Sequence, residues 1–270
     1  MLEEPKEYEA KGKLATFVML SFFWVVLIFS LLVILDLTLF WATVIHTSTI
    51  FGGPVVIYKF VYKKRFREFI PMNHVSIKNW LFVLCIILFA ILVVDFAGTL
   101  LFLPFNNFFL DSLLDSHAAE FWEAANAYPF FQLMIMGAVF PSVFEELLFR
   151  GTFLHMLEQR GMSIKKIALI NGLIFGLIHM SPLHLILGTF YGFVFVYLMV
   201  YTRNILTVIV GHFIINVSSS SSLVYSFGLH PPFNSVIDLL IFSVTTLVCV
   251  ILLVSLMKRF ISYNENKKKA

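Results

Sequence analysis

Phe140–Gly151 reads FPSVFEELLFRG and sits inside an otherwise apolar, helical segment running from about Tyr128 to Leu157. Glu145, Glu146 and Arg150 place three ionisable groups where neighbouring windows have none. A charge at bilayer depth is costly, and by default it points to function. Everything else in the chain has to explain how such a stretch is tolerated.

The surrounding composition supplies the setting. Of 270 residues, 60% are hydrophobic and only 13% charged, against roughly 25% charged in a soluble domain. Mean hydropathy is +0.92. Several windows run long enough without charge to cross a bilayer, which needs about 20 apolar residues in a helix. One large soluble core is excluded, because too little polar sequence remains to cover it. The fold class is all-α: a polytopic integral membrane protein with about eight transmembrane helices. Cys85 and Cys249 both lie in apolar spans and read as small buried hydrophobes rather than a disulfide.

Residues 1–13 form a polar tail, followed by a retained first span rather than a removed signal peptide. Residues 14–257 read as a single transmembrane domain, with a polar core at about 125–222, and residues 258–270 as a basic tail. The spans are expected at 14–35, onward from Asp36 to about 58, 80–103, 130–157, 167–180, 184–201, 205–222 and 235–257. Gly52-Gly53-Pro54 interrupts the end of the second, and Ser181-Pro182 separates the fifth from the sixth. The acidic segment at 104–129 can hold a short amphipathic surface helix.

Eight spans put both tails and the loops at 59–79, 158–166 and 202–204 on one side. That side then holds eighteen of the nineteen lysines and arginines, Arg150 being the other. The opposite side holds Asp111, Asp115, Glu120 and Glu123. Such a positive-inside pattern predicts that both termini are cytoplasmic. Seven spans would place one basic tail outside.

Within the spans, Glu146 and Arg150 are four apart, on one helix face and in the favoured acid-then-base order. They read as an internal ion pair, since burying either alone would be expensive. Glu145 points roughly 100° away and needs a partner elsewhere. His179 closes the fifth span in FGLIHMSP, with Phe175 one turn above it. His212 and Asn216, in GHFIIN, again share a face. His184 could line the mouth of a site that these groups form, whereas His46, His74, His117 and His230 are expected in loops or at interfaces. A carboxylate can take a proton from water. A histidine can orient that water or bind a divalent metal, and a second histidine with an amide can stabilise an oxyanion. Together these groups suit hydrolysis of a peptide bond in or beside the bilayer. Gly172–Gly176 and Gly188–Gly192 read as close-packing helix faces.

Glu145-Glu146-x-x-x-Arg150, Phe175-x-x-x-His179 and His212-x-x-x-Asn216, in this order, resemble the three motifs of the CPBP family, the CAAX-protease and bacteriocin-processing membrane proteins, also called ABI. The resemblance covers about residues 125–222. It implies a glutamate-dependent or metal-dependent intramembrane endopeptidase. Glu145 would be the general base, with His179 activating water or holding a metal. His212 and Asn216 would stabilise the oxyanion, and Glu146 and Arg150 would support the site. If a divalent metal binds, zinc is the first choice and Glu145, His179 and His212 its ligands; a metal-independent mechanism is the other option. The implied partners are membrane lipid and a membrane-bound or amphipathic peptide. No nucleic-acid partner is implied, and the oligomeric state is left open.

Eukaryotic relatives cut prenylated CAAX tails after the modified cysteine, and bacterial relatives are linked to bacteriocin maturation, immunity and peptide-signal processing. A short chain rich in Phe, Ile and Lys looks more like a bacterial cell-membrane member. The alternative is a non-catalytic immunity or scaffold protein, or a small proton-coupled transporter. Against the transporter, no inverted repeat is visible and the polar groups cluster in one half of the chain.

Overall fold

The computed structural model describes residues 5–35, 37–102, 127–220 and 236–269. The acidic segment, up to residue 126, and the connection at 221–235 lie outside the described residues, as does Asp36. The helices are α1 (Pro5–Ile34), α2 (Leu39–Val61), the single turn α3 (Phe66–Phe69), α4 (Ile77–Phe102), α5 (Phe130–Gln159), α6 (Ile164–Leu177), α7 (Pro182–Thr202), α8 (Ile205–Ser220) and α9 (Val236–Lys269). Among the described residues there is no strand, only an isolated bridge between Met72 and Asn204.

The chain is a polytopic all-α membrane protein. Six helices, α1, α2, α4, α5, α7 and α9, are long and apolar enough to cross a bilayer. The expected fifth span begins and ends three residues earlier than read, and the expected seventh begins where read, at Ile205. The α6 helix has 14 residues, below the roughly 17–25 that a full crossing takes, and α8 is described up to Ser220, where the described residues of that segment end. Lys165 and Lys166 stand at the start of α6, and the Ser181-Pro182 break follows its end. Gly52-Gly53-Pro54 does not interrupt α2, which runs on to Val61 with Pro54 inside it. Proline is tolerated in a membrane helix where neighbours re-satisfy the backbone. His46 accordingly lies within α2 rather than in a loop.

The described chain divides into two compact units. One comprises Met1–Asn73 and Val139–Ile209, the other His74–Ala138 and Val210–Ala270. In the first, α1 and α2 pair. Trp24 Nε1 donates to the Thr49 carbonyl at 2.7 Å, and its indole lies where a Cβ on Gly53 would sit. At one end of this pair the ring of Tyr58, 1% exposed, meets Phe17 and Phe69 edge-on at 5.7 and 5.0 Å and stacks on Tyr62 at 4.5 Å. The α6–α7 contact is built on glycine. A Cβ on Gly172 would come within 2.6 Å of the Thr189 carbonyl oxygen, and one on Gly192 within 2.6 Å of the Gly172 Cα. The two small-residue pairs read from the sequence therefore face each other, as close helix approach in a bilayer requires.

Residues near Pro71, Glu158 and Arg203 meet in this unit. The amide of Ile205 donates to the Pro71 carbonyl at 2.9 Å, and that of Asn73 to the Arg203 carbonyl at 3.1 Å. Arg203 grips both carboxylate oxygens of Glu158, at 2.8 and 2.9 Å. Pro71, Asn73, Glu158 and Arg203–Ile205 are thus tied together within this unit.

In the second unit α4 lies along α9. Phe96 meets Phe242 at 4.9 Å and Phe82 meets Phe260 at 5.9 Å. Buried Asn79 and Asn264 donate to each other's side-chain oxygens at 2.9 and 3.1 Å, which fixes the register of the pair.

Candidate active site

The helix that carries FPSVFEELLFRG is not uniform. Phe140–Glu146 is α-helical, and Leu147–Phe153 is a wider π turn with i→i+5 bonding. A second π turn, Ile135–Val139, precedes them. Such turns are rare and occur mostly at functional sites. The widening begins directly after Glu146.

Arg150 Nη1 donates to Glu146 Oε1 at 2.8 Å, and both side chains are wholly buried. The pairing expected from the i, i+4 spacing is present. Arg150 Nε and Nη2 make no hydrogen bond among the described residues. Aromatic faces surround the guanidinium instead. Its Cζ lies 4.4 Å from the Phe175 centroid, 5.1 Å from Phe195 and 5.8 Å from Phe149. A desolvated cation over such rings gains about 2 kcal/mol or more. Gly192 leaves room for this cage, because a Cβ there would stand 3.2 Å from Arg150 Nη2. Asn171, fully buried on α6, donates to the Phe149 carbonyl inside the π turn at 2.8 Å.

Glu145 is 8% exposed where Glu146 is 0%. The two adjacent carboxylates thus differ in setting: one is locked into the Arg150 pair, and the other is not fully enclosed. The division is not complete, since the Arg150 charge acts on both glutamates.

His179 lies two residues beyond the end of α6, in the turn to α7 rather than in the helix. Met180 follows in a left-handed conformation, φ 51°, an uncommon setting for a residue other than glycine. Ser181 then caps α7 by accepting from the His184 amide. The His179 ring is exposed. Its Nδ1 is 2.8 Å from the Phe175 carbonyl. A carbonyl can only accept, so Nδ1 carries the proton, and in the neutral ring Nε2 is the basic nitrogen. The Phe175 ring also meets the imidazole edge-on at 5.2 Å. Phe175 therefore touches Arg150 with one face and orients His179 through both ring and carbonyl. His184 stacks on His179, with centroids 5.6 Å apart and planes 8° from parallel.

The first unit thus assembles Glu145, Glu146, Arg150, Phe175, His179 and His184. His212 and Asn216 belong to the second unit. There they occupy one face of α8, with His212 buried and Asn216 half-buried. Phe149, Phe195 and Asn171 complete the surroundings of Arg150. None stands out in the sequence, because an aromatic or an amide on an apolar helix reads first as core.

Residues 127–218 match the family model described as type II CAAX prenyl endopeptidase Rce1-like. All three motifs fall inside the match. That match is consistent with the CPBP family. No curated protein and no solved structure matches the chain. The matched segment supports a protein of the membrane-endopeptidase kind, and the six long apolar helices imply a lipid setting.

Proposed function

We propose that the protein is a glutamate-dependent intramembrane endopeptidase that hydrolyses a peptide bond in a membrane-anchored or amphipathic peptide. The observation that carries this reading is the unequal setting of Glu145 and Glu146, inside a segment that matches a membrane-endopeptidase family. Glu146 is held by Arg150, and Glu145 is the general base. The Glu145 carboxylate takes a proton from water that His179 Nε2 orients. The water oxygen adds to the peptide carbonyl carbon, and the C=O electron pair moves onto oxygen. The motif resemblance assigns His212 and Asn216 the role of donors to that oxyanion. The C–N bond then breaks as Glu145 returns its proton to the leaving amine.

The fixed Nδ1–H of His179 also suits metal binding at Nε2, since ligating histidines are oriented in this way. A divalent ion, zinc in the first instance, would supply a more acidic bound water. Among the described residues no three His, Cys, Asp or Glu side chains converge. We further place the basic end on the cytoplasmic side of a bacterial cell membrane, because lysine and arginine concentrate there.

The test is cleavage by purified protein reconstituted with membrane-anchored peptides, prenylated and unprenylated, followed by mass spectrometry. Wild type is expected to release a defined fragment. Asn216→Ala is expected to lower kcat by about 100- to 1000-fold, the usual cost of one oxyanion donor, and His212→Ala comparably. Undiminished cleavage by both variants would remove the oxyanion role. Activity that survives a strong chelator supports the metal-independent route, and loss restored by zinc supports the metal.

A further inference from the structure

Outside the matched segment, α4 and α9 border an open pocket of about 480 Å³ whose lining includes Lys78, Lys258, Arg259, Ser262, Tyr263 and Asn266. Residues 258, 262 and 266 recur at i, i+4 on α9, as do 259 and 263. Lys78 and Phe82 face them with the same spacing on α4. No carboxylate lines the pocket among the described residues. None of Lys78, Lys258 and Arg259 makes an ion pair among the described residues. Three cations therefore converge without a counter-charge among the described residues.

The pocket is built rather than incidental. Beside it, the reciprocal Asn79–Asn264 amide pair locks the two helices, and Asn264 also donates to the Phe260 carbonyl at 2.9 Å. Lys78 Nζ sits 4.3 Å from the Tyr263 centroid, which holds the ammonium over the ring. Lys78 stands in the first turn of α4, where the helix dipole is positive. Ser262 and Asn266 add neutral donors on the α9 side.

Its depth identifies the ligand. The 34 residues of α9 make roughly 50 Å of helix, more than a hydrocarbon core of about 30 Å. The lining residues of α9 follow directly after its apolar run, which ends at Met257. Tyr263 and Trp80, near the same end of the two helices, are residues of the kind that anchor at the interface. Cations with hydroxyl and amide donors at headgroup level, between two spans, suit a phosphodiester.

We propose that this pocket binds the phosphate headgroup of an anionic membrane phospholipid. Its acyl chains would lie against the apolar α4–α9 surface, and the lipid would brace a helix pair that lies wholly outside the matched segment.

The full chain is reconstituted in equimolar phosphatidylglycerol and phosphatidylcholine, and retained lipid is counted by native mass spectrometry. Wild type is expected to retain phosphatidylglycerol preferentially. Lys78→Gln/Lys258→Gln/Arg259→Gln is expected to lower that preference at least about tenfold. Lys78→Arg/Lys258→Arg, which keeps the charge, is expected to preserve it. Lys165→Gln/Lys166→Gln, which removes two exposed cations from α6, is also expected to preserve it. An unchanged preference in the triple variant would overturn the proposal. So would an equal loss in the α6 control, which would assign the preference to the general basic surface. Displacement of phosphatidylglycerol from wild type by inorganic phosphate would reassign the pocket to a free anion and overturn the lipid assignment.

Discussion

Glu145→Gln leaves the protein folded and lowers peptide cleavage by about 100- to 10,000-fold, the range that a positioned general base contributes. The substitution keeps the shape of the side chain and removes its ability to take a proton. Glu145 is not the partner gripped at 2.8 Å by Arg150, so the helix keeps its principal internal charge pair. The prediction is checked by initial cleavage rates in proteoliposomes, read beside the thermal unfolding midpoint of the same preparation. A folded Glu145→Gln variant that cleaves like wild type would show that the base lies elsewhere.

The neighbouring position behaves in the opposite way. Glu146→Ala is expected to destabilise the protein by about 3–5 kcal/mol, because it leaves a buried cation without its anion. Arg150 and Glu146 are both fully enclosed. The remaining contacts of the guanidinium, the faces of Phe149, Phe175 and Phe195, attract a cation without neutralising it. The loss propagates, since Phe175 also orients His179 through its carbonyl. Activity falls too, but as a consequence of unfolding. Chemical or thermal unfolding in bicelles measures the effect. A midpoint equal to wild type would mean that the pair contributes nothing to the fold.

How much of this is legible in the sequence depends on the range of each interaction. The Glu146–Arg150 pair and the Phe175–His179 contact are four residues apart, and helical periodicity reveals both. The facing glycines of α6 and α7 are legible for a related reason: small residues four apart mark a face that another helix can approach closely. The π turn at Leu147–Phe153 leaves no such trace. It depends on tertiary partners such as Asn171, which takes up the Phe149 carbonyl. The aromatic cage likewise joins residues from α5, α6 and α7, and Phe195 resembles any other core phenylalanine until the helices meet. Helix lengths fall between these cases. Hydropathy finds α6 and α8, but it places the end of α6 three residues late because it does not register the left-handed residue that follows the helix. His179 shows the result: apolar neighbours place it in a span, and the structure places it in the turn beyond. His184, read as lining a mouth, stacks on His179 because Ser181-Pro182 folds the chain back at that point.

The division of labour between the two adjacent glutamates is tested most directly by one double variant. Glu146→Gln/Arg150→Met removes both charges of the buried pair while keeping similar volume, an exchange that is often neutral or stabilising where loss of one partner is not. Cleavage of a membrane-anchored peptide by this variant is compared with wild type and with Glu145→Gln. If Glu146 and Arg150 serve the fold and Glu145 the chemistry, the folded double variant cleaves at a rate close to wild type while Glu145→Gln does not. A folded double variant as inactive as Glu145→Gln would contradict that division and place Glu146 or Arg150 in the reaction itself.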